Sequence, residues 1–332
     1  MGDLGKEPSS IIRQNTTLKK ASRKEVLSAA DIGRKNIFEE IASKFGRIVS
    51  LFDRRDGPLR VHFAHAIEKG QREYQQDEVF VAESAAGYTL AILADGMGGH
   101  AAGDVASRIA LNTTVKHLKT FLDEERSFEE IEAAALEAIA KTNTKMAKEI
   151  EKKPAYAGMG TTLVVVVIKE NKLQWISVGD SPLYLWRSKK CYQLNQDHSM
   201  APSIDQMAQT GQISEEDALN HPDRNCLISA VNDAKPAIID HGNEPVQLIE
   251  HDIIVLASDG LQVVPDQKIA SVLHKARESQ PLYVAAALIN SAIDLDDPDQ
   301  DNIALVAMKV GRKTSDNEQS GEEQVDGANE KE

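Results

Sequence analysis

Leu90-Ala91-Ile92-Leu93-Ala94-Asp95-Gly96-Met97-Gly98-Gly99-His100 is an apolar run that stops on an aspartate and opens into glycines before a helical pattern from Ala102. Consecutive apolar residues suit a strand buried on both faces. A strand end is rigid, so it can hold the Asp95 carboxylate at a fixed point. Gly96, Gly98 and Gly99 let the backbone approach a bound group closely. The same run is also what an Asp-Gly turn between strand and helix looks like. The glycines do not fit GxGxxG, which makes a dinucleotide loop a poor reading.

The pattern recurs further along. Ile253-Ile254-Val255-Leu256-Ala257-Ser258-Asp259-Gly260 again delivers a carboxylate at the end of an apolar run, and Asp299-Gln300-Asp301-Asn302 directly precedes Ile303-Ala304-Leu305-Val306. Hard divalent ions such as Mg²⁺ and Mn²⁺ prefer carboxylate, carbonyl and water oxygens. Aspartates on neighbouring strand ends could hold a pair of such ions ~4 Å apart, with a bridging hydroxide between them. Each aspartate taken alone is equally an ordinary turn residue.

Around these runs, short β-rich segments alternate with helices from about residue 59 to 311. Val79–Ala82, Tyr88–Leu93, Thr162–Ile168, Leu173–Val178, Leu183–Trp186, Ile253–Ala257 and Ile303–Val310 read as strands. Two long helices are expected, one running on from Ala102 through Leu122 and one from Phe128 through Ile150. A polar stretch over about 195–225 reads as an inserted flap with short helices at Ser203–Gln209 and Ser214–Leu219. Residues 1–58 are polar and net basic. Within them Ile32, Phe38, Ile41, Phe45, Val49 and Phe52 recur at helical spacing, the pattern of an amphipathic helix that packs on the main domain or binds a partner. Residues 312–332 are acidic and lack aromatics, a composition that predicts disorder.

The chain has 332 residues, a formal charge of −14 and a pI near 5.2. That balance argues against a general nucleic-acid binder, which needs concentrated cationic surface. Cys191 and Cys226 are too few for a disulfide framework and have no zinc-site spacing. No apolar run approaches the ~20 residues of a membrane span, and the N-terminus does not read as a signal peptide. A cytoplasmic location is therefore expected.

Several runs together resemble one family, the bacterial form of the metal-dependent protein phosphatases of the protein phosphatase 2C type. They are Arg72-Glu73-Tyr74-Gln75-Gln76-Asp77, Asp95-Gly96-Met97-Gly98-Gly99-His100, Gly158-Met159-Gly160-Thr161-Thr162, Val178-Gly179-Asp180-Ser181, Asn195-Gln196-Asp197-His198-Ser199, Ala257-Ser258-Asp259-Gly260-Leu261 and Asp301-Asn302, in the family's order over roughly residues 60–310. The resemblance implies an α+β fold, a four-layer α-β-β-α sandwich of two antiparallel sheets flanked by helices, with the metals in a cleft at one end.

It also implies residue roles. Asp95 bridges two Mn²⁺ or Mg²⁺ ions, Asp259 and Asp301 complete the first, and the Gly96 carbonyl serves the second with Asp77 in support. Asp180 with Asp259 holds a weaker third ion. Arg72 binds the substrate phosphate, which suits a planar fork facing two oxygens. His100 matches a position that assists proton transfer, a role Met97 cannot take, and His198 is structural. The expected reaction is one-step hydrolysis of phosphoserine or phosphothreonine by a metal-bridging hydroxide. The expected partners are a phosphoprotein substrate and a cognate Ser/Thr kinase or its targets.

Three departures stand out: Gln76 replaces an acidic residue, Pro182 replaces an arginine, and Leu227–Asn232, with Ser229, lacks an expected arginine and glycine. They are the best support for a rival reading, a non-catalytic module that binds a phosphoprotein or a kinase. A metal-dependent nuclease is a further alternative, disfavoured by the acidic charge.

Overall fold

The apolar run from Leu90 lies at the heart of a sheet. It belongs to β3 (Thr89–Met97), flanked by β2 (Asp77–Glu83) on one side and β5 (Leu163–Lys169) on the other. The computed structural model describes residues 59–98 and 102–312. The N-terminal amphipathic pattern, Gly99, His100 and the acidic tail lie outside those residues.

Beyond β5 this sheet continues through β6 (Lys172–Val178) to the short β10 (Val246–Gln247), giving the order β10-β6-β5-β3-β2. Two-residue strands β4 (Gly160–Thr161) and β9 (Asp240–His241) pair with β3 and β6. The second sheet has the order β1-β12-β11-β7-β8, built from β1 (Leu59–Glu68), β7 (Leu183–Arg187), β8 (Lys190–Gln193), β11 (Ile253–Ala257) and β12 (Ile303–Arg312). Every pairing in both sheets is antiparallel.

Alternation along the strands decides the layering, because successive side chains point to opposite faces. Ala91, Leu93, Val164 and Val166 face Leu185, Ile254, Leu256, Val306 and Met308 to make the core between the sheets. Leu90, Ile92, Val165 and Val167 point the other way, onto helices α1 (Ala102–Phe121) and α2 (Phe128–Lys152). On the far side Ile253, Val255, Leu305 and Ala307 pack against α5 (Asp266–Ala276) and α6 (Pro281–Ile293). The result is the expected four-layer α-β-β-α sandwich. Each fully buried Leu or Ile contributes about 1.5–3 kcal/mol, and strands apolar on both faces are what three stacked cores require.

The 195–225 stretch carries α3 (Ala201–Gln209) and α4 (Glu215–Leu219), held together by Arg224, whose two terminal nitrogens meet the Asp205 carboxylate at 2.6 and 3.0 Å. The structure corrects one boundary. β3 does not stop before Asp95 but continues to Met97, because Gly96 and Met97 pair with Thr161 and Gly160 of β4.

Candidate active site

Asp95 therefore sits inside a strand, directly opposite Asp77 in the β2–β3 register. Asp259 follows β11 in a short 3-10 turn, Asp301 lies two residues before β12, and Asp180 follows β6. Carboxylates from both sheets thus converge at one end of the sandwich. Of these, Asp77 and Asp180 are buried, while Asp95, Asp259 and Asp301 are half-buried.

Their electrostatics record the convergence. Burial, reinforced by the charges of Asp259 and Asp301, pushes the Asp77 carboxyl up to about 7. Asp180 is raised to about 8 by burial and then by Asp259 and Asp197. Asp95 is pushed well above the carboxylate range by enclosure, with Asp259, Asp77, Asp180 and Asp301 all adding to the effect. Asp259 is raised by burial and by Asp301, and Arg72 pulls it back. Crowded carboxylates of this kind either stay protonated or hold a cation.

One atom discriminates between these outcomes: Asp77 Oδ2 is buried and has no hydrogen-bond partner among the described residues. An orphaned oxygen in an acidic, oxygen-only donor set fits a hard divalent ion. Among the described residues the acidic side chains do not already close into a three-ligand cage. They stand near enough to raise one another's pKa.

The backbone around Asp95 is fixed from the Gly158–Thr162 run. Asp95 N–H donates to Thr162 Oγ1 at 3.0 Å, and the Asp95 carbonyl accepts from Thr161 Oγ1 at 2.7 Å and from Thr162 N–H at 2.8 Å. Gly96 N–H donates to the Gln76 carbonyl at 3.1 Å. A Cβ on Gly96 would run into the Gly103 carbonyl and lie 2.7 Å from that same Gln76 oxygen, so only glycine fits between β2 and the start of α1. Gln76 fills space here with its side chain against Gly103, so an amide occupies the place where the family resemblance calls for an acid.

Arg72 stands at the rim, 56% exposed, with Nη2 2.5 Å from Asp301 Oδ2. Its loop is mounted on the start of β12. Gln71 N–H donates to the Gln300 carbonyl at 2.9 Å, and buried Asn302 staples the loop from three sides. Asn302 Oδ1 accepts from Gln76 N–H at 2.8 Å, while Nδ2 donates to the carbonyls of Lys69 at 2.7 Å and Tyr74 at 3.0 Å. The sequence reading assigned Asn302 no role, although its place directly after Asp301 was visible. It likewise gave Thr161 and Thr162 no role of their own, although their run was among those that carry the resemblance.

His198 is structural. It is buried, and its Nδ1 accepts from Gly179 N–H at 3.1 Å, fixing the turn that carries Asp180. Ser229, at one of the departures, is buried and clamps a loop by exchanging hydrogen bonds with Ile238 N–H at 2.9 Å and Ile238 carbonyl at 2.7 Å. The structure thus brings together Arg72, Asp77, Asp95, Gly96, Asp180, Asp259 and Asp301, and His100 lies outside the described residues.

Known proteins share this arrangement of chain. The family model for protein phosphatase 2C matches residues 65–287. The serine/threonine phosphatase Stp of Listeria monocytogenes serovar 1/2a is 34% identical over 222 residues, covering 65% of this chain and 84% of the relative. The solved serine/threonine phosphatase of S. agalactiae superposes with a TM-score of 0.64 at 30% identity, covering 76% of this chain and 99% of that one. The catalytic domain of the protein phosphatase PstP, solved in complex with two manganese ions, gives a TM-score of 0.60 at 28% identity, with coverage of 76% and 99%. A family match over most of the sandwich, together with carboxylates gathered at its end, shows that the chain belongs to the protein phosphatase 2C family.

Proposed function

We propose that this chain hydrolyses phosphoserine and phosphothreonine on proteins in a centre that holds two divalent ions. The observation that carries the reading is the set of carboxylates from both sheets, with an orphaned Asp77 oxygen inside it and a guanidinium at its rim. Asp95 would serve both ions, Asp259 and Asp301 the first, the Gly96 carbonyl and Asp77 the second, and Asp180 with Asp259 a weaker third. Mn²⁺ or Mg²⁺ held there supplies Lewis acidity and a water of lowered pKa.

The chain's own residues do the rest. Arg72 presents a planar fork to two phosphate oxygens and offsets charge that spreads over them in the transition state. Its contact with Asp301 holds it over the cleft mouth, and its exposure leaves it within reach of a phosphorylated loop. Asn302 fixes the backbone from which Arg72 projects. Thr161 and Thr162 keep Asp95 from drifting as charge changes beside it.

His100 is assigned from sequence as the donor to the seryl or threonyl oxygen. His100→Gln should slow a phosphopeptide more than p-nitrophenyl phosphate, because nitrophenolate leaves readily without a proton. Purified protein with Mn²⁺ and p-nitrophenyl phosphate tests the catalytic reading against a non-catalytic binding module. The expected result is turnover that is lost in Asp95→Ala; a wild type without turnover would leave only the binding module. The substrate is a phosphoprotein, and a cognate kinase or its targets supply the candidates. Truncation to residue 59 asks whether the N-terminal extension recruits them.

A further inference from the structure

Away from the catalytic end, the outer faces of α1 and α2 enclose a concavity of about 450 Å³ whose walls are basic. α2 contributes Lys141, Lys145 and Lys148, and α1 contributes Lys116 and His117. The spacings i, i+4 and i+7 on α2 put its three lysines on one helical face, turned towards α1. Lys141 is already engaged, 2.8 Å from Glu137 and 3.1 Å from His117 Nδ1. Lys145 donates only to the neutral Thr113 hydroxyl at 2.9 Å. Lys116, Lys145 and Lys148 form no ion pair among the described residues. In a chain of formal charge −14, three unpaired ammonium groups around one concavity are a local reversal of sign.

The chain carries its own complement. Residues 313–332 contain seven carboxylates, from Asp316 to Glu332, against Lys313 and Lys331. We propose that the groove between α1 and α2 is a docking site for this acidic segment of the same chain.

The route is short. β12 ends at Arg312, and Gly311 lines a second cavity together with Gly87 and Lys169. That rim is tied to the turn between α1 and α2: Lys169 Nζ donates to Glu125 at 2.8 Å, and Ala85 N–H donates to Asp123 at 3.2 Å. From Asp123 back to Lys116 is roughly 10 Å of helix. Glu322 and Glu323 lie ten and eleven residues beyond Arg312, a stretch that spans up to roughly 33–40 Å when extended, so this acidic pair reaches the groove along that rim. Tethering raises its effective concentration there to the order of millimolar, enough for weak, screened charge pairs to be occupied. The lysine stems supply apolar walls beneath the charges.

The competing occupant of the tail is the basic segment 1–58. Its twelve lysines and arginines are interspersed with eight aspartates and glutamates, so most of its positive charge is compensated along the chain. Lys116, Lys145 and Lys148 have no ion-pair partner among the described residues, and this favours the groove.

Zero-length carbodiimide coupling, which joins carboxylates to amines only in direct contact, tests the proposal on the full chain at low salt, with the monomer band mapped by mass spectrometry. The expected products join Glu318, Glu322, Glu323 or Asp326 to Lys116, Lys145 or Lys148. Their yield should drop several-fold at about 1 M salt, where the screening length is ~3 Å. The same tail carboxylates should lose these products, without redistributing to other lysines of residues 59–312, in the triple variant Lys116→Gln, Lys145→Gln, Lys148→Gln. These lysines are exposed, and an unchanged circular dichroism melt will confirm that the variant folds. Coupling mainly to lysines of residues 1–58, coupling spread evenly over the domain's other lysines, products only between chains, or no tail products at all would each overturn it.

Discussion

Arg72 is held by a partner rather than by burial, and that separates its two possible contributions. An exposed ion pair is worth about 0–1 kcal/mol, so Arg72→Ala should leave the melting temperature nearly unchanged. Loss of a donor aimed at transition-state charge costs on the order of 10²-fold or more, so kcat/KM on a phosphothreonine peptide should fall by about that factor. Arg72→Lys keeps the charge but not the fork and should lie between. Equal rates for all three proteins would remove Arg72 from the phosphate site. Asn302 behaves in the opposite way. Asn302→Ala strands the Gln76 N–H and two loop carbonyls, at about 1–3 kcal/mol for each group left unpaired. Chemical denaturation should therefore show a loss of several kcal/mol, and kcat/KM should fall although Asn302 touches no substrate. Asn302→Asp should not restore activity, because it keeps the acceptor, loses both donations and adds a carboxylate to an acidic cleft.

Among the elements, the turn between β6 and β7 shows how backbone geometry reaches the metal ligands. Gly179 has φ +106°, and a Cβ there would lie 2.6 Å from Thr162 Cγ2. Thr162 is the residue whose hydroxyl anchors Asp95 N–H. Gly179→Ala should cost about 1–3 kcal/mol of backbone strain and lower metal affinity with it, measured by thermal melts and Mn²⁺ titration; Ser177→Ala on the same strand serves as the control that should spare metal affinity. The long buried strands and both long helices were legible because their apolar periods are strong, as Leu90–Ala94 and Ile253–Ala257 illustrate. β1 was not, since only Leu59, Val61 and Phe63 reach the inter-sheet core and the rest of the strand is half-exposed. Two-residue strands such as β4 leave no period to read, and β4 is what moves Asp95 from a strand end to a strand interior. α5 and α6 also went unread, their apolar positions falling beside the runs taken as strands. The site aspartates were legible as a recurring placement, whereas the hydrogen bonds that hold them depend on residues distant in sequence, such as Asn302 reaching Lys69.

For the whole molecule, the raised carboxyls at the cleft link folding, protons and metal. Asp77 and Asp180 rise from 3.8 to about 7 and about 8 in the fold. Between those values and 3.8 the folded chain keeps protons that the unfolded chain releases. The metal-stripped protein should therefore lose stability as pH rises from about 4 to about 8. A cation needs deprotonated ligands, so its affinity should climb over the same window by up to about tenfold per pH unit for each proton displaced. Melting temperatures with and without Mn²⁺ should diverge steadily from about pH 5 to pH 8, and a constant gap would contradict the linkage. Among the described residues no helix is long and apolar enough to cross a membrane. The most direct measurement is phosphate release from a phosphothreonine peptide as chelator-stripped protein is titrated with Mn²⁺, in wild type and in Asp95→Ala. Release should be absent before Mn²⁺, return on its addition, and stay absent in Asp95→Ala at every Mn²⁺ concentration. A stripped wild type that still releases phosphate, or an Asp95→Ala variant that matches wild type, would contradict a metal-dependent phosphatase built on Asp95.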